Sequence, residues 1–171
     1  MKKNLPFFAA ILLLFIGISC TKDEPTLNNT VDLAILYSNS FENAADTTGW
    51  AGYCGVYFTE NTPQNGGNRS VAISCGCIAP YVNFEIGPFD EDNLVVISCM
   101  ARGFDLGGNL SLTYEDNVIG FAVPSDSTWQ YFESVDTLFV PENELIKLGI
   151  FAGGLASGLI EVDLLEVRTV E

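Results

Sequence analysis

The chain of 171 residues contains no histidine, and it has only seven lysines and arginines against 22 aspartates and glutamates. Without imidazole there is no Ser–His–Asp or Cys–His nucleophile, and the usual histidine-ligated catalytic zinc sites are excluded. Two of the basic residues, Lys2 and Lys3, precede the first apolar run. Beyond Ser19, five basic residues face all 22 acidic ones, a formal net charge of −17. A surface that acidic repels phosphate backbones and anionic headgroups, so nucleic acid is excluded as a partner. The sequence also lacks GxSxG, P-loop, GxGxxG and HExxH patterns, and nothing in it points to an enzyme.

Long apolar runs are scarce too. The longest, Phe7 to Ile18, has twelve residues, whereas a spanning helix needs about 20. Behind Met1-Lys2-Lys3 it reads as the hydrophobic part of an export signal. The run ends in Gly17-Ile18-Ser19-Cys20, which resembles a bacterial lipobox. That resemblance implies a leader over 1–19 and an acylated Cys20 as mature N-terminus, and two or three acyl chains hold a protein stably at a bilayer where one does not. Thr21-Lys22-Asp23-Glu24 is similar to the export tag of surface lipoproteins of the Bacteroidota, which implies the outer membrane with the chain facing the medium. Residues 20–32 then form the acylated cysteine and a short tether, and 33–171 the folded domain.

In that domain no stretch keeps a 3.6-residue apolar period over three turns. Instead, short β-branched and aromatic runs recur between Gly, Asn, Asp and Pro. Ten such runs start at Leu33, Tyr53, Arg69, Tyr81, Leu94, Leu110, Val118, Trp129, Leu145 and Leu159. About ten antiparallel strands at these spacings predict an all-β sandwich. Val82, Phe84 and Ile86 alternate with Tyr81, Asn83 and Glu85, and Ile160, Val162 and Leu164 with Glu161 and Asp163, as half-buried strands require. Leu94-Val95-Val96-Ile97 is apolar on both faces and is expected to be central.

Besides Cys20, four cysteines remain: Cys54, Cys75, Cys77 and Cys99. An even number in an exported chain favours disulfides over a zinc site. A hairpin turn centred on Gln64-Asn65 pairs positions whose numbers sum to 129. That sets Cys54 against Cys75 and leaves Cys77 for Cys99. A two-residue slip would instead pair Cys54 with Cys77.

Five motifs occur in one order: Ser40-Phe41-Glu42, Gly49-Trp50, Gly66-Gly67-Asn68-Arg69-Ser70-Val71, Ser127-Thr128-Trp129-Gln130-Tyr131-Phe132 and Ser157-Gly158-Leu159-Ile160-Glu161-Val162-Asp163. Together, from Tyr37 onward, they resemble the galactose-binding-like jelly rolls that include carbohydrate-binding modules. The four cysteines depart from that pattern. The resemblance implies a structural calcium ion held by Glu42 and Asp163, with loop carbonyls near Gly67 and Asn68 completing the oxygen set.

Sugar binding needs aromatic faces and planar polar side chains. Trp50 and Trp129 are read as core packing. If Cys54, Val56 and Phe58 point inward, Tyr53 and Tyr57 point outward, and Tyr81 does so beside Asn83 and Glu85. These five are expected to line one concave sheet face, while Arg102 either meets an acidic sugar or neutralises Asp105. The expected function is carbohydrate binding without catalysis. The rival is a structural or accessory surface lipoprotein that docks an outer-membrane protein partner.

Overall fold

The computed structural model describes residues 34–53, 55–74, 81–153 and 158–170. The leader, Cys20, the tether and the cysteines Cys54, Cys75 and Cys77 lie outside them. The chain divides into two units, 1–30 and 31–171, and all described residues belong to the second.

That unit contains twelve described strands: β1 (Ile35–Asn39), β2 (Ala51–Tyr53), β3 (Gly55–Thr59), β4 (Ser70–Ser74), β5 (Tyr81–Ile86), β6 (Asn93–Phe104), β7 (Gly108–Tyr114), β8 (Asn117–Val123), β9 (Gln130–Glu133), β10 (Leu138–Val140), β11 (Ile146–Ala152) and β12 (Leu159–Thr169). The increase from ten has two sources. The run read as one strand from Tyr53 is two, β2 and β3, in different sheets. The three-residue β10 is too short to carry a visible alternation.

The strands form a jelly-roll sandwich of two antiparallel sheets. One has seven strands in the order β10-β6-β12-β4-β3, with β1 beside β12 and β9 beside β6; the other has five, in the order β2-β5-β11-β7-β8. The apolar-on-both-faces segment Leu94–Ile97 lies in β6, which is central and has β10 and β9 on one side and β12 on the other. The β3–β4 register sums to 129, from Gly55 opposite Ser74 to Thr59 opposite Ser70, as the Gln64-Asn65 turn predicts.

Period-two alternation builds the core. Ile146, Leu148, Ile150 and Ala152 of β11, Val95, Ile97 and Ala101 of β6, and Ile160 and Val162 of β12 are all fully buried between the sheets. Burying each valine, leucine or isoleucine side chain among them contributes roughly 1.5–3 kcal/mol. Trp50 packs on this core as expected, edge-on to Phe41 at 5.6 Å between ring centroids. Phe121 of β8 stacks on Phe132 of β9 at 5.6 Å, linking the two sheets.

The alternation of β12 breaks once. Leu164 adopts φ +49 and the register with β6 shifts between Asp163 and Glu166. Leu165 and Val167, not Leu164, therefore supply the next inward positions. A bulge of this kind bends the strand and re-aims the neighbouring side chain, here Asp163.

The disulfide expected at Cys99 is corrected: Cys99 is a free thiol, fully buried between the sheets. Its β6 position, opposite Phe132, points it into the core, where it packs as a small apolar side chain. Burial pushes its thiol well above the ordinary range, so it stays protonated. Native full-length protein should leave Cys99 unlabelled by iodoacetamide, with labelling appearing only on unfolding. Cys99→Ser, which buries a hydroxyl, should cost about 1–3 kcal/mol; rapid native labelling at this residue would contradict the placement.

Candidate functional site

Two regions of the sandwich carry the candidate side chains, and a third is occupied by internal contacts. The first is the outer face of the five-stranded sheet. Because β11 sends Ile146, Leu148 and Ile150 inward, Lys147, Gly149 and Phe151 must point outward. The register then sets rows across the strands. Tyr53, Tyr81, Phe151, Asn109 and Ala122 form one row. Ala51, Asn83, Gly149, Ser111 and Gly120 form the next, and Glu85, Lys147, Thr113 and Val118 the third.

The middle row consists of small or slender side chains between two bulkier rows, so it is the floor of a shallow trough perpendicular to the strands. At about 4.8 Å per strand, five strands make it about 19 Å long. Two hollows occupy the trough. One, of about 410 Å³, is lined by Tyr81, Asn109 and Phe151 among others. The other, of about 430 Å³, is lined by Gly49, Ala51 and Glu85 among others. Asn83 and Lys147 line both, so the hollows adjoin.

Of the expected sugar-facing residues, Tyr81, Asn83 and Glu85 therefore come together. Tyr53 is paired in register with Tyr81, and its side chain lies outside the described atoms. Tyr57 does not join them. It stands on β3 at the edge of the other sheet, because the chain changes sheets between Tyr53 and Gly55. The alternation argument placed both tyrosines outward but took the two strands for one.

The second region is the corner where Glu42 and Asp163 meet the Gly66-Gly67 turn. Glu42 accepts backbone N–H bonds from Asn68 at 2.9 Å and Arg69 at 3.2 Å. Those bonds, the one from Asn68 first, hold its carboxyl below the usual carboxylate range. Asp163 is fully buried. Its Oδ1 accepts the Leu164 N–H at 2.7 Å, while Oδ2 has no hydrogen-bond partner. Burial, with a smaller push from the Glu42 charge, raises its pKa to about 7.

The two glycines are fitted to this corner. A Cβ on Gly66 would lie 2.3 Å from Asp163 Oδ2, and one on Gly67, whose φ is +75, would lie 2.2 Å from Glu42 Oε1. A buried, unpartnered carboxylate oxygen aimed at a glycine turn with a second carboxylate beside it is a donor set suited to a hard cation. Among the described residues no group of three or more His, Cys, Asp or Glu side chains gathers anywhere, so further ligands here would have to be amide or backbone oxygens.

The third region, the outer face of the seven-stranded sheet, is where Arg102 sits, and it is neither free nor paired with Asp105. The β6–β12 register sets it opposite Glu161, which it meets at 2.5 Å. It also donates to the Ser127 carbonyl at 3.3 Å, and its guanidinium lies over Phe104 at 5.4 Å and Trp129 at 4.9 Å. Trp129 is thus no core residue; it is half-buried against Arg102. Arg168 is paired with Glu133 in the same sheet.

Lys147, Gly149, Phe151, Asn109 and Ser111 were not singled out from the sequence. The Ile-Lys-Leu-Gly-Ile-Phe-Ala run of β11 carried the signal, since its alternation alone sends Lys147, Gly149 and Phe151 to the opposite side from Leu148 and Ile150.

No protein-family model matches the chain, and no curated protein matches it. Solved structures do. The enzymatically active domain of tailspike protein 4 of bacteriophage CBA120 superposes with a TM-score of 0.59 at 13% identity, over 77% of this chain and 20% of that one. The carbohydrate-binding module TmCBM61, solved with β-1,4-galactotriose, gives 0.52 at 14% identity over 72% and 90%. The module CBM6cm-2 of Cellvibrio mixtus lichenase 5A, solved with cellotriose, gives 0.50 at 13% identity over 81% and 100%. The chain thus spans a fifth of the tailspike's length and nearly all of each binding module's. The fold is that of the β-sandwich carbohydrate-binding modules.

The Asp163 environment has a direct consequence. Its carboxyl is raised from about 3.9 in the unfolded chain to about 7 in the folded one. The folded state therefore holds the proton more tightly, and this group's contribution to stability is present at about pH 4 and lost as pH rises through about 7. With EDTA present, Asp163→Asn should raise unfolding stability at about pH 8, by about 2–4 kcal/mol, and change little at about pH 4. Equal effects at both pH values would show that the buried charge is not the cause.

Proposed function

We propose that this chain is a lipid-anchored surface protein whose sandwich binds a carbohydrate on the outer face of the five-stranded sheet and does no chemistry on it. One observation supports this most: two adjoining hollows in a trough that has Tyr81 and Phe151 on one side, Asn83 and Ser111 on the floor, and Lys147 and Glu85 on the other side. Aromatic faces beside planar amide, hydroxyl and charged groups are what a polyhydroxylated ring requires. The structural neighbours include modules solved with galactotriose and cellotriose, and they favour this ligand class over others.

A calcium ion at the Glu42–Asp163 corner belongs to the same reading. The ion would satisfy Asp163 Oδ2 and offset the repulsion between the two carboxylates, holding the Gly66-Gly67 turn against the seven-stranded sheet. Its role is structural. Calcium should raise the melting temperature of the wild-type chain in proportion to the logarithm of its concentration and leave Asp163→Asn unmoved. Superimposable wild-type scans in calcium and EDTA would remove both residues as ligands.

The anchor rests on the Gly17-Ile18-Ser19-Cys20 sequence and the tether behind it. Cys20→Ala should abolish acylation and shift the chain from the membrane to the soluble fraction. An unchanged membrane association in that variant would overturn the anchor.

A protein-docking role has one observation in its favour. A hollow of about 790 Å³ lies between β8 and β10, where Val118 and Phe139 are more than half exposed. Affinity electrophoresis of the full-length chain in detergent on plant and algal polysaccharides separates the two readings. Tyr81→Ala and Phe151→Ala should each weaken retention about tenfold, the effect of losing roughly 1.4 kcal/mol of ring stacking, and Tyr57→Ala should not. No retention of the wild type on any polysaccharide, together with stoichiometric capture of an outer-membrane protein that Phe139→Ala abolishes, would favour docking.

A further inference from the structure

On the reading that the trough binds carbohydrate, we propose that its ligand is an uncharged linear chain lying across the strands over Gly149. Lys147 and Glu85 read its hydroxyls together, and the interior of the chain is held rather than its end.

Gly149 is the first ground. Glycine in a strand interior weakens the strand and often marks the close approach of a ligand or another backbone. Other glycines of this sheet are required by the fold: a Cβ at Gly52 or Gly120 would run into the backbone oxygen of Tyr81 or Leu110, at 2.0 and 2.1 Å. Gly149 has no such constraint. Its backbone is not in the left-handed region, and the single atom a Cβ would meet within 4 Å is the Ser111 hydroxyl, at 3.1 Å. It occupies the middle of the central strand at the centre of the trough floor. The missing side chain keeps the floor open, which the fold itself does not need.

Charge is the second ground. Of the four described basic residues, Arg102 and Arg168 are locked in ion pairs with Glu161 and Glu133, and Arg69 lies over the Phe58 ring. The side chain of Lys147 alone among them makes no ion pair, hydrogen bond or ring contact with the described residues. Glu85 stands directly opposite it on β5, yet the two do not close into a salt bridge. The ammonium offers three N–H donors and the carboxylate two acceptor oxygens. A hydroxyl both donates and accepts, so adjacent hydroxyls of a sugar ring satisfy both groups at once. A uronate or sulfate would satisfy Lys147 but face Glu85 and a chain of net charge −15, which favours the uncharged ligand.

The third ground is the shape of the floor. From Ala51 on the edge strand β2 to Gly120 on the edge strand β8, no large side chain interrupts it. The floor runs from one edge strand of the sheet to the other, so it suits a polymer crossing the whole sheet rather than a chain end held in a closed pocket.

Calorimetric titration of the full-length chain in detergent tests this. The neutral probes are cellotriose, β-1,4-galactotriose and xylohexaose; oligogalacturonate and a sulfated galactan oligosaccharide are the carboxylate and sulfate arms. We expect a neutral probe to bind with an affinity little changed between about 0.05 and about 0.5 M salt. Gly149→Phe should weaken it at least tenfold, Gly149→Ala less, and Lys147→Ala and Glu85→Gln several-fold each, with melting temperatures reporting that each variant is folded. Reduction of the terminal sugar of the probe should change nothing. Neutral-probe binding unaffected by both Gly149 variants would overturn the proposal and leave the carbohydrate reading intact, as would tighter binding of an anionic probe that fades with salt. Absence of wild-type binding to every probe would overturn both.

Discussion

The constraint on which the candidate site depends is the alternation of one strand. In β11 the residues Ile146, Leu148, Ile150 and Ala152 are fully buried, and the intervening Lys147, Gly149 and Phe151 have no choice but to face out. A slip of one residue would expose four apolar side chains and bury a lysine, a loss of several times the roughly 1.5–3 kcal/mol that each buried side chain contributes. Because β11 pairs with β5 on one side and β7 on the other, its register also aligns Tyr81, Asn83 and Glu85 with Asn109, Ser111 and Thr113. The trough is thus a by-product of core packing, held by the most buried part of the molecule.

The two outer faces of the sandwich differ in how their charges are used. On the seven-stranded sheet, Arg102 and Arg168 are consumed by Glu161 and Glu133, and aromatic rings cover Arg102 from two sides. On the five-stranded sheet, Lys147 and Glu85 oppose each other without closing into a pair. The bulge at Leu164 sets a third region apart from both faces: it turns Asp163 toward the Gly66-Gly67 turn, where an unpaired carboxylate oxygen is buried. That corner belongs to the seven-stranded sheet, whereas the trough lies on the five-stranded one.

Much of the architecture was legible in the sequence because alternation and turn chemistry are local. The β3–β4 register followed from one turn, and the inward faces of β5 and the first half of β12 followed from period two. What was not legible was non-local. Nothing in Tyr53 to Thr59 marks the crossing from one sheet to the other, so Tyr57 was grouped with Tyr81 although they lie on opposite sheets. Arg102 was matched with Asp105 by proximity in sequence, whereas the β6–β12 pairing supplies Glu161 from 59 residues away. The bridge expected at Cys99 rests on cysteine count and on the β3–β4 register leaving Cys77 over, neither of which carries information on which face of β6 Cys99 occupies. The Glu42–Asp163 juxtaposition was implied by family resemblance and appears in the structure as a shared glycine turn. Gly149, the residue on which the trough turns, has no sequence signature apart from interrupting an apolar strand.

The proposed carbohydrate site lies on the five-stranded sheet, not on the seven-stranded one. Hydroxyl-radical footprinting of the full-length chain, with and without a saturating neutral oligosaccharide, reads side-chain protection on both faces in one experiment. With the site on that face, Tyr81 and Phe151 become protected while Tyr57, Tyr131 and Trp129 keep their oxidation rates. Protection of Tyr57 or Trp129 with Tyr81 and Phe151 unchanged would contradict it.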